Sequence, residues 1–465
     1  MKGILLILIT SSLTACAVGP DYQTPKIATA ANFNEANHAE FSNKAVEVSW
    51  WKLFKDEQLN RLVDETLRHN YELKAAQANL REARALYMET GLNLAPTVTS
   101  HANHSQQLRS VGALNNRSFV PRDLELYNTG FDAYWELDLF GRVRRNVEAS
   151  SDEVELQEAN IRDVSVSLIA EVARNYFELR GLQNQLAVVK QNVENQAQTL
   201  KITDAKVRNG RGTELDTARA SAQLDSTRAL VPTLETSISY AIHRLSVLTG
   251  QQPHALIVQL SDAKAMPQLP DTIAIGSPAD LLRRRPDIRM AERRLAASTA
   301  RIGVATADLF PKVTFVGTIS MEASTFSGLG AAGSQTNSFG PRITWAAFNL
   351  GQVYARIKAA DAHAESDLAQ YQQTVLTALE ETENALVNYN KIREKQVSLS
   401  SATEASLKAN HLAQLRFDGG VTDFLTVLDA QLSLLYNQNQ LAQTQTATAM
   451  ALVSVYKALG GGWEI

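Results

Sequence analysis

The chain carries one cysteine, Cys16, and its position decides its chemistry. It closes the run Leu13-Thr14-Ala15-Cys16, behind Lys2 and the apolar stretch from Ile4 to Ile9. A positive start, a short apolar core and small residues before a cut make a secretory signal, too short for a spanning helix. A cysteine at that cut is where a lipoprotein peptidase cleaves before a sulfur already bearing diacylglycerol. Residues 1–15 therefore read as a signal peptide, and Cys16 as a lipidated, palmitate-carrying N-terminus. One anchor gives only marginal attachment, at about 0.8 kcal/mol per buried methylene, so more of the chain must engage the bilayer. Ala17 rather than Asp follows, which points to sorting to the outer membrane. With no second cysteine, no disulfide staples the fold in that oxidising compartment.

Other chemistry-bearing residues read as structure. Gly328-Leu329-Gly330-Ala331-Ala332-Gly333 has the spacing of a dinucleotide fingerprint. That motif needs a helix opening directly after it, and here another strand pattern follows, so the run reads as an extracellular hairpin loop. Arg283, Arg284 and Arg285 precede Pro286-Asp287-Ile288, a helix start with local ion pairing to acids such as Asp287 and Glu292 rather than an anion patch. His101 and His104 fall on opposite faces of a strand, with no carboxylate at ligand spacing in the sequence. The six methionines do not cluster, so copper export is not indicated. Asn116-Arg117-Ser118 fits a glycosylation sequon by chance. No metal, cofactor or activated nucleophile is implied, and a formal charge of −4 gives no signal for nucleic acid.

Two acidic patterns suit a conduit. Asp132, Glu136 and Asp138 alternate with Phe131, Ala133, Trp135, Leu137 and Leu139, so they fall on the polar face of a strand and would line a barrel lumen. Asp423, Thr426 and Asp429 recur every three residues, a polar stripe on one helix face with Leu425, Leu428 and Leu432 expected to pack behind it.

Long helices must position these groups. No proline lies between Pro121 and Pro232, and none follows Pro341. Leu179, Leu182, Leu186, Val189 and Val193 recur at heptad spacing, as do Leu425, Leu428, Leu432 and Leu435. A helix from Gly141 to about Val207 would be roughly 100 Å long at about 1.5 Å per residue, longer than a globular core uses. Past residue 16 no apolar run can form a spanning helix, so any span must be β. Four segments show a two-residue period, around Thr97–Gln106, Phe131–Leu139, Lys312–Met321 and Phe339–Trp345, each about as long as a tilted membrane strand.

The chain is also duplicated. A shift of 215 lays Leu94 and Pro96 on Leu309 and Pro311, and a shift of 210 lays Trp135 and Gly141 on Trp345 and Gly351. A shift of 208 then lays Arg208, Gly212, Ala222 and Gln223 on Arg416, Gly420, Ala430 and Gln431. Each half reads as helix, strand, loop, strand, very long helix, tight turn and returning helix. Four strands cannot close a bacterial barrel, and an open edge in lipid costs several kcal/mol per unpaired group. Two copies would give eight strands with a filled interior, whereas three give twelve and a pore, so a homotrimer is expected.

At this point the chain resembles the TolC-type outer membrane factors, in particular the lipidated NodT-like efflux branch. The resemblance is carried by Cys16-Ala17-Val18-Gly19-Pro20-Asp21-Tyr22 with Pro25, Trp50-Trp51, Leu282-Arg283-Arg284-Arg285-Pro286-Asp287-Ile288 with Ala291-Glu292, Trp135 to Arg144, and Val427-Leu428-Asp429-Ala430-Gln431. It implies a mainly α protein with transmembrane β: a trimeric α-helical barrel of coiled-coil helices joined to a shared twelve-stranded barrel in outer-membrane lipid. It implies as partners a periplasmic adaptor and an inner-membrane transporter of the proton-driven type, with the duct itself passive and not an enzyme. It assigns the periplasmic aperture to Asp423, Thr426 and Asp429, with Thr426 standing where some members carry another acid. Adaptor docking falls on two tip turns, Arg208, Gly210, Gly212 and Thr213, and Arg416, Gly419, Gly420 and Val421. The expected organisation is a lipid-anchored segment 16–56, a first repeat 57–250 (strands about 97–110 and 125–140, helix about 141–207), an equatorial linker 251–277 and a second repeat 278–465 (strands about 312–325 and 337–349, helix about 351–417). Rival readings are a protein-secretion exit duct and, from another class, a trimeric coiled-coil stalk with no pore.

Overall fold

The computed structural model describes residues 17–112 and 121–463, so Cys16 and the Asn116-Arg117-Ser118 sequon lie outside the described residues. In chain order it runs through helices α1 (Glu57–His69) and α2 (Tyr71–Leu92), strands β1 (Thr97–Leu108) and β2 (Asp123–Leu137), and the long helix α3 (Arg142–Arg208). Helices α4 (Glu214–Arg228), α5 (Leu230–Leu248), α6 (Pro278–Arg284) and α7 (Pro286–Ala307) follow. Strands β3 (Lys312–Ala323) and β4 (Gln335–Thr344), a second long helix α8 (Leu350–Asp418) and the return helix α9 (Phe424–Ala458) complete it.

The chain divides into two compact units. One holds the described residues up to Lys26, Asn79–Glu158 and Met290–Gln372. Its centre is an antiparallel sheet in the order β1-β2-β3-β4. Phe131 pairs with Ser100 on one side and Ile319 on the other, and Trp135 pairs with Phe315. β1 and β4 each keep a free edge, which lipid cannot satisfy. β2 stops at Leu137, short of the expected 140, because Asp138 turns away from the sheet. Its carboxylate accepts the backbone N–H groups of Val143 at 3.0 Å and Arg144 at 2.9 Å, holding the first turn of α3. Gly141 supplies the left-handed backbone, φ +80°, that this reversal needs.

The other unit comprises Ile27–Ala78, Ala159–Arg289 and the described residues from Gln373 onward. Its core gathers apolar side chains from segments far apart in sequence: Trp50 and Phe54, Leu59 and Val63 of α1, Tyr176 and Phe177 of α3, Leu245 and Leu248 of α5, and Leu452 and Tyr456 of α9. Trp50 stacks on Tyr456 with ring centres 5.1 Å apart. Full burial of each such side chain contributes about 1.5–3 kcal/mol, so this cluster fixes the unit. Asp56 serves two elements at once. One carboxylate oxygen caps α1 by accepting from Gln58 and Leu59, and the other accepts the Tyr176 hydroxyl at 2.7 Å.

The duplication is visible as repeated contacts. The Trp135 indole N–H donates to the Leu94 carbonyl, and the Trp345 indole donates to the Leu309 carbonyl, each at 3.0 Å. At the tips the equivalence differs from the expected shift of 208. Gly210 (φ +69°) and Gly420 (φ +72°) occupy the same place, as do the helix caps Thr213 and Asp423, a shift of 210. Matching identical residues favoured the wrong register, because the backbone requirement is shared and the side chains around it are not. The return after the first tip is two helices, with a break at Ala229 shortly before Pro232, whereas α9 is continuous.

Candidate conduit: a two-faced sheet and two helix-tip turns

In the first unit the sheet separates its side chains by face. Val98, Phe131, Ala133, Trp135, Phe315, Ile319, Met321, Phe339 and Ile343 share one face by register, and the larger of them are exposed in the protomer. Thr99, His101, Asn128, Asp132, Thr318, Glu322 and Arg342 share the other. An apolar outer face opposite a polar inner one, on strands of ten to fifteen residues, is the pattern of an outer-membrane barrel wall.

The three acids expected on the inner face do not form one free stripe. Asp132 is there, with its carboxylate engaged from two sides: the His101 Nδ1 lies 2.8 Å away and the Thr318 hydroxyl donates at 2.8 Å. Glu136 is there too but buried and neutralised by Arg142, whose guanidinium grips both carboxylate oxygens. Asp138 lies past the strand as the α3 cap and pairs with Arg144 at 3.1 Å. Aligned acids on a strand pattern read as solvated because nothing local shows the arginines that turn back onto them from the following helix. The histidines also gain carboxylates from across the sheet, Asp132 for His101 and Glu125 for His104, which spacing along one strand could not reveal. Among the described residues no group of three or more ligating side chains is placed to hold a metal ion.

Sequence reasoning missed the clamp on the N-terminal arm. The backbone N–H of Val18 donates to the Phe140 carbonyl at 3.1 Å. Arg145, almost fully buried, donates to the Val18 carbonyl, to Asp21 at 2.6 Å and to Glu148 at 2.9 Å. Arg293 lies over the Tyr22 ring and pairs with Glu292 and Asp152. Burial pushes the Asp152 carboxyl up to about 6, against the opposing pull of Arg293 3.0 Å away. A side chain on Gly19, at φ +92°, would run into the Gly303 backbone, and one on Gly303 would run into Arg145 and the Val18 carbonyl. The arm that begins just after Cys16 is thus held on α3 and α7. The only signal in the sequence was the concentration of arginine and glycine at these positions.

In the second unit both tips end their long helix in the same hydrogen-bonded turn. Gly210 donates to the Val207 carbonyl and Arg211 to Lys206, while Gly420 donates to Phe417 and Val421 to Arg416. Gly212, Gly419 and Arg208 lie in or beside these turns. Thr213 caps α4 in a reciprocal box with Asp216. Asp423 caps α9 and accepts both the backbone N–H and the hydroxyl of Thr426, which hold its carboxyl below the usual carboxylate range. Asp423 and Thr426 are therefore joined to each other as a cap, and Asp429 alone of the three is an exposed helical carboxylate on α9 without that duty. The packing expected behind them is also corrected. Phe424 and Val427 are buried and Leu428 packs partly buried against them as expected, whereas Leu425 and Leu432 are 50% and 41% exposed and form a second apolar stripe that the protomer itself does not cover. Lys206 ties the tips together, donating to the Phe417 carbonyl at 3.0 Å with its ammonium over the Phe417 ring.

The arginine run acts within this unit as structure. Arg285 donates to Asp287, to Glu381 and to the Ala458 carbonyl, and Arg283 pairs with Asp280. The glycine run Gly328 to Gly333 falls in the connection between β3 and β4, with Gly330 and Gly333 at positive φ and no helix of the nucleotide-binding kind after it.

Comparison with known proteins agrees with this arrangement. Residues 62–251 and 278–461 match the outer membrane efflux protein family. The chain is 31% identical over 465 residues to the outer membrane protein OprJ of Pseudomonas aeruginosa, covering 99% of this chain and 96% of that one. It is 31% identical to the solvent efflux pump outer membrane protein SrpC of Pseudomonas putida, covering 97% of each. The solved structure of the outer-membrane channel OprN superposes with a TM-score of 0.91 at 42% identity, covering 96% of this chain and 100% of that one. The chain belongs to the outer membrane efflux protein family and is the homotrimeric outer-membrane exit duct of a tripartite efflux pump, working with a periplasmic adaptor and an inner-membrane transporter.

Proposed function

We propose that this duct is a passive conduit for small molecules, not an enzyme, and that its resting gate is a ring of Asp429 carboxylates at the tips of the long helices. The observation that carries the gate is the division of labour on α9: Asp423 and Thr426 are consumed in the helix cap, and Asp429 remains as the exposed acid one turn on. Threefold symmetry would bring three such carboxylates together. Unit charges about 6 Å apart at an effective dielectric near 20 repel by roughly 3 kcal/mol per pair, so a closed ring needs bound cations, polar partners or a shared proton. The tip turns at Arg208, Gly210, Gly212 and Thr213, and at Arg416, Gly419, Gly420 and Val421, are the surface offered to the adaptor, whose docking would shift the population from closed to open. Lipidation at Cys16 holds the arm at the membrane, and the energy of export is spent by the transporter. Small-molecule cargo is favoured over protein secretion by the solvent-efflux relative.

The test is single-channel recording of the Asp429→Ala trimer in a planar bilayer. Conductance should rise and block by divalent cations should weaken, with trimer yield normal. Unchanged conductance and cation block in a correctly assembled trimer remove Asp429 from the gate.

A further inference from the structure

We infer that the second unit carries a binding site for a small monocarboxylate with an apolar tail, in a cavity lined by residues 45–48, Ile275, α6 and the turn after α9. The cavity holds about 420 Å³, within the size range of small-molecule sites, and no residue of the sheet or of the tip turns lines it. Its walls are largely apolar. Val46, Ile275, Leu281 and Leu459 all stand on it as buried side chains, drawn from four segments far apart in sequence. The site is separate from the gate proposed at Asp429 and does not rest on it.

The charge on this cavity is Arg284, the last residue of α6. Its Nη1 donates to the Val46 carbonyl at 2.6 Å and its Nε to the Gly460 carbonyl at 3.3 Å, so both hydrogen-bond partners are neutral. Burial pulls the Arg284 pKa down, the mark of a cation held where water no longer supports it, and the exposed Glu47 pulls the other way without forming an ion pair. Asp280 also lines the cavity but is committed elsewhere: it accepts from Arg283 and from the Ser277 hydroxyl, each at 2.7 Å. Among the described residues Arg284 Nη2 is buried with no acceptor, and so is the indole Nε1 of Trp463, a second residue lining the same cavity. The Arg162 guanidinium lies 5.0 Å from the centre of that indole ring and adds positive charge on its side. Two donors without acceptors, one of them cationic, call for an acceptor that carries negative charge. The two oxygens of a carboxylate supply it, and the apolar walls take the tail behind it. An inorganic anion would leave those walls unfilled, and an alcohol would leave the guanidinium unbalanced.

The experiment uses the full-length trimer in nonionic detergent with hexanoate as the probe, followed by equilibrium dialysis of labelled hexanoate and by thermal melting. Hexanoate should bind saturably and raise the melting temperature by roughly 2 °C or more at saturation, with sodium chloride and hexan-1-ol at the same concentration giving much less. Arg284→Met should abolish the binding. Because that variant also loses two backbone contacts, Val48→Trp, which fills the cavity with Arg284 intact, provides the second arm and should weaken binding about tenfold or more. Trp463→Phe, which keeps a ring and removes only the N–H, should weaken it about threefold or more. Absence of saturable hexanoate binding to the wild type, an equal response to sodium chloride or hexan-1-ol, or unchanged affinity in Val48→Trp overturns the inference.

Discussion

Helix α3 is held in two different ways along its length, by apolar burial in one stretch and by polar contacts in another. From Leu168 to Leu179 its buried side chains are Leu168, Ile169, Ala170, Val172, Ala173, Tyr176, Phe177 and Leu179, packed into the aromatic core around Trp50. From Asn192 to Thr203 its buried positions are Asn192, Gln196, Thr199 and Thr203, recurring at helical spacing along one face. The first stretch is welded by apolar burial. The second is zipped by amides and hydroxyls: Asn192 donates to Gln438 at 2.9 Å, and Gln431 donates to Thr199 at 3.0 Å. Gln196 is 4% exposed, and its side-chain amide has no hydrogen-bond partner within the protomer among the described residues. A polar seam gains little net stability per contact, about 0.5–1.5 kcal/mol, because water offers the same groups equivalent bonds once it opens. Low cost of opening is what the gate proposed at the tips would require, and it is absent where the core holds the helix.

Variants in the two stretches should differ in size and kind. The largest effect is expected in the weld. Leu245→Ala, on α5 in the core that holds this stretch of α3 and with no exposure, leaves a cavity that costs about 2–5 kcal/mol, read as a lower melting temperature and a lower trimer yield. In the zip, Asn192→Leu strands the Gln438 acceptor and should cost about 1–3 kcal/mol, while Asn192→Leu with Gln438→Leu should recover most of it. A double-mutant cycle on denaturant midpoints measures that coupling. If Leu245→Ala cost no more than the paired leucine variant, the distinction between weld and zip would collapse.

How far the sequence reaches depends on which interactions are local. Strand alternation and tip glycines are local requirements, so the sheet and both turns were legible, with the face assignments of His101 and His104 right. The balancing of Glu136 by Arg142 and the cap made by Asp138 depend on a chain reversal at Gly141, and the alternation alone suggested a free acidic stripe. On α9 two apolar stripes run side by side, Phe424 with Val427 and Leu425 with Leu432, and heptad spacing cannot say which one the protomer buries. The polar zip was invisible for a related reason: Asn, Gln and Thr at seam positions read as solvated until the facing amides of α9 are placed. The cargo was not legible because a duct wall need only be wide and polar.

If the tips that carry Asp429 part by opening the zip while the core stays closed, single-channel recording shows it most directly. Wild-type trimers are compared in a planar bilayer with trimers carrying Asn192→Leu, Gln196→Leu and Gln438→Leu together, which replace the polar seam by an apolar one. The variant should assemble normally, melt at least as high as the wild type and open less often. Opening as frequent as in the wild type, from trimers of normal yield and stability, would contradict it.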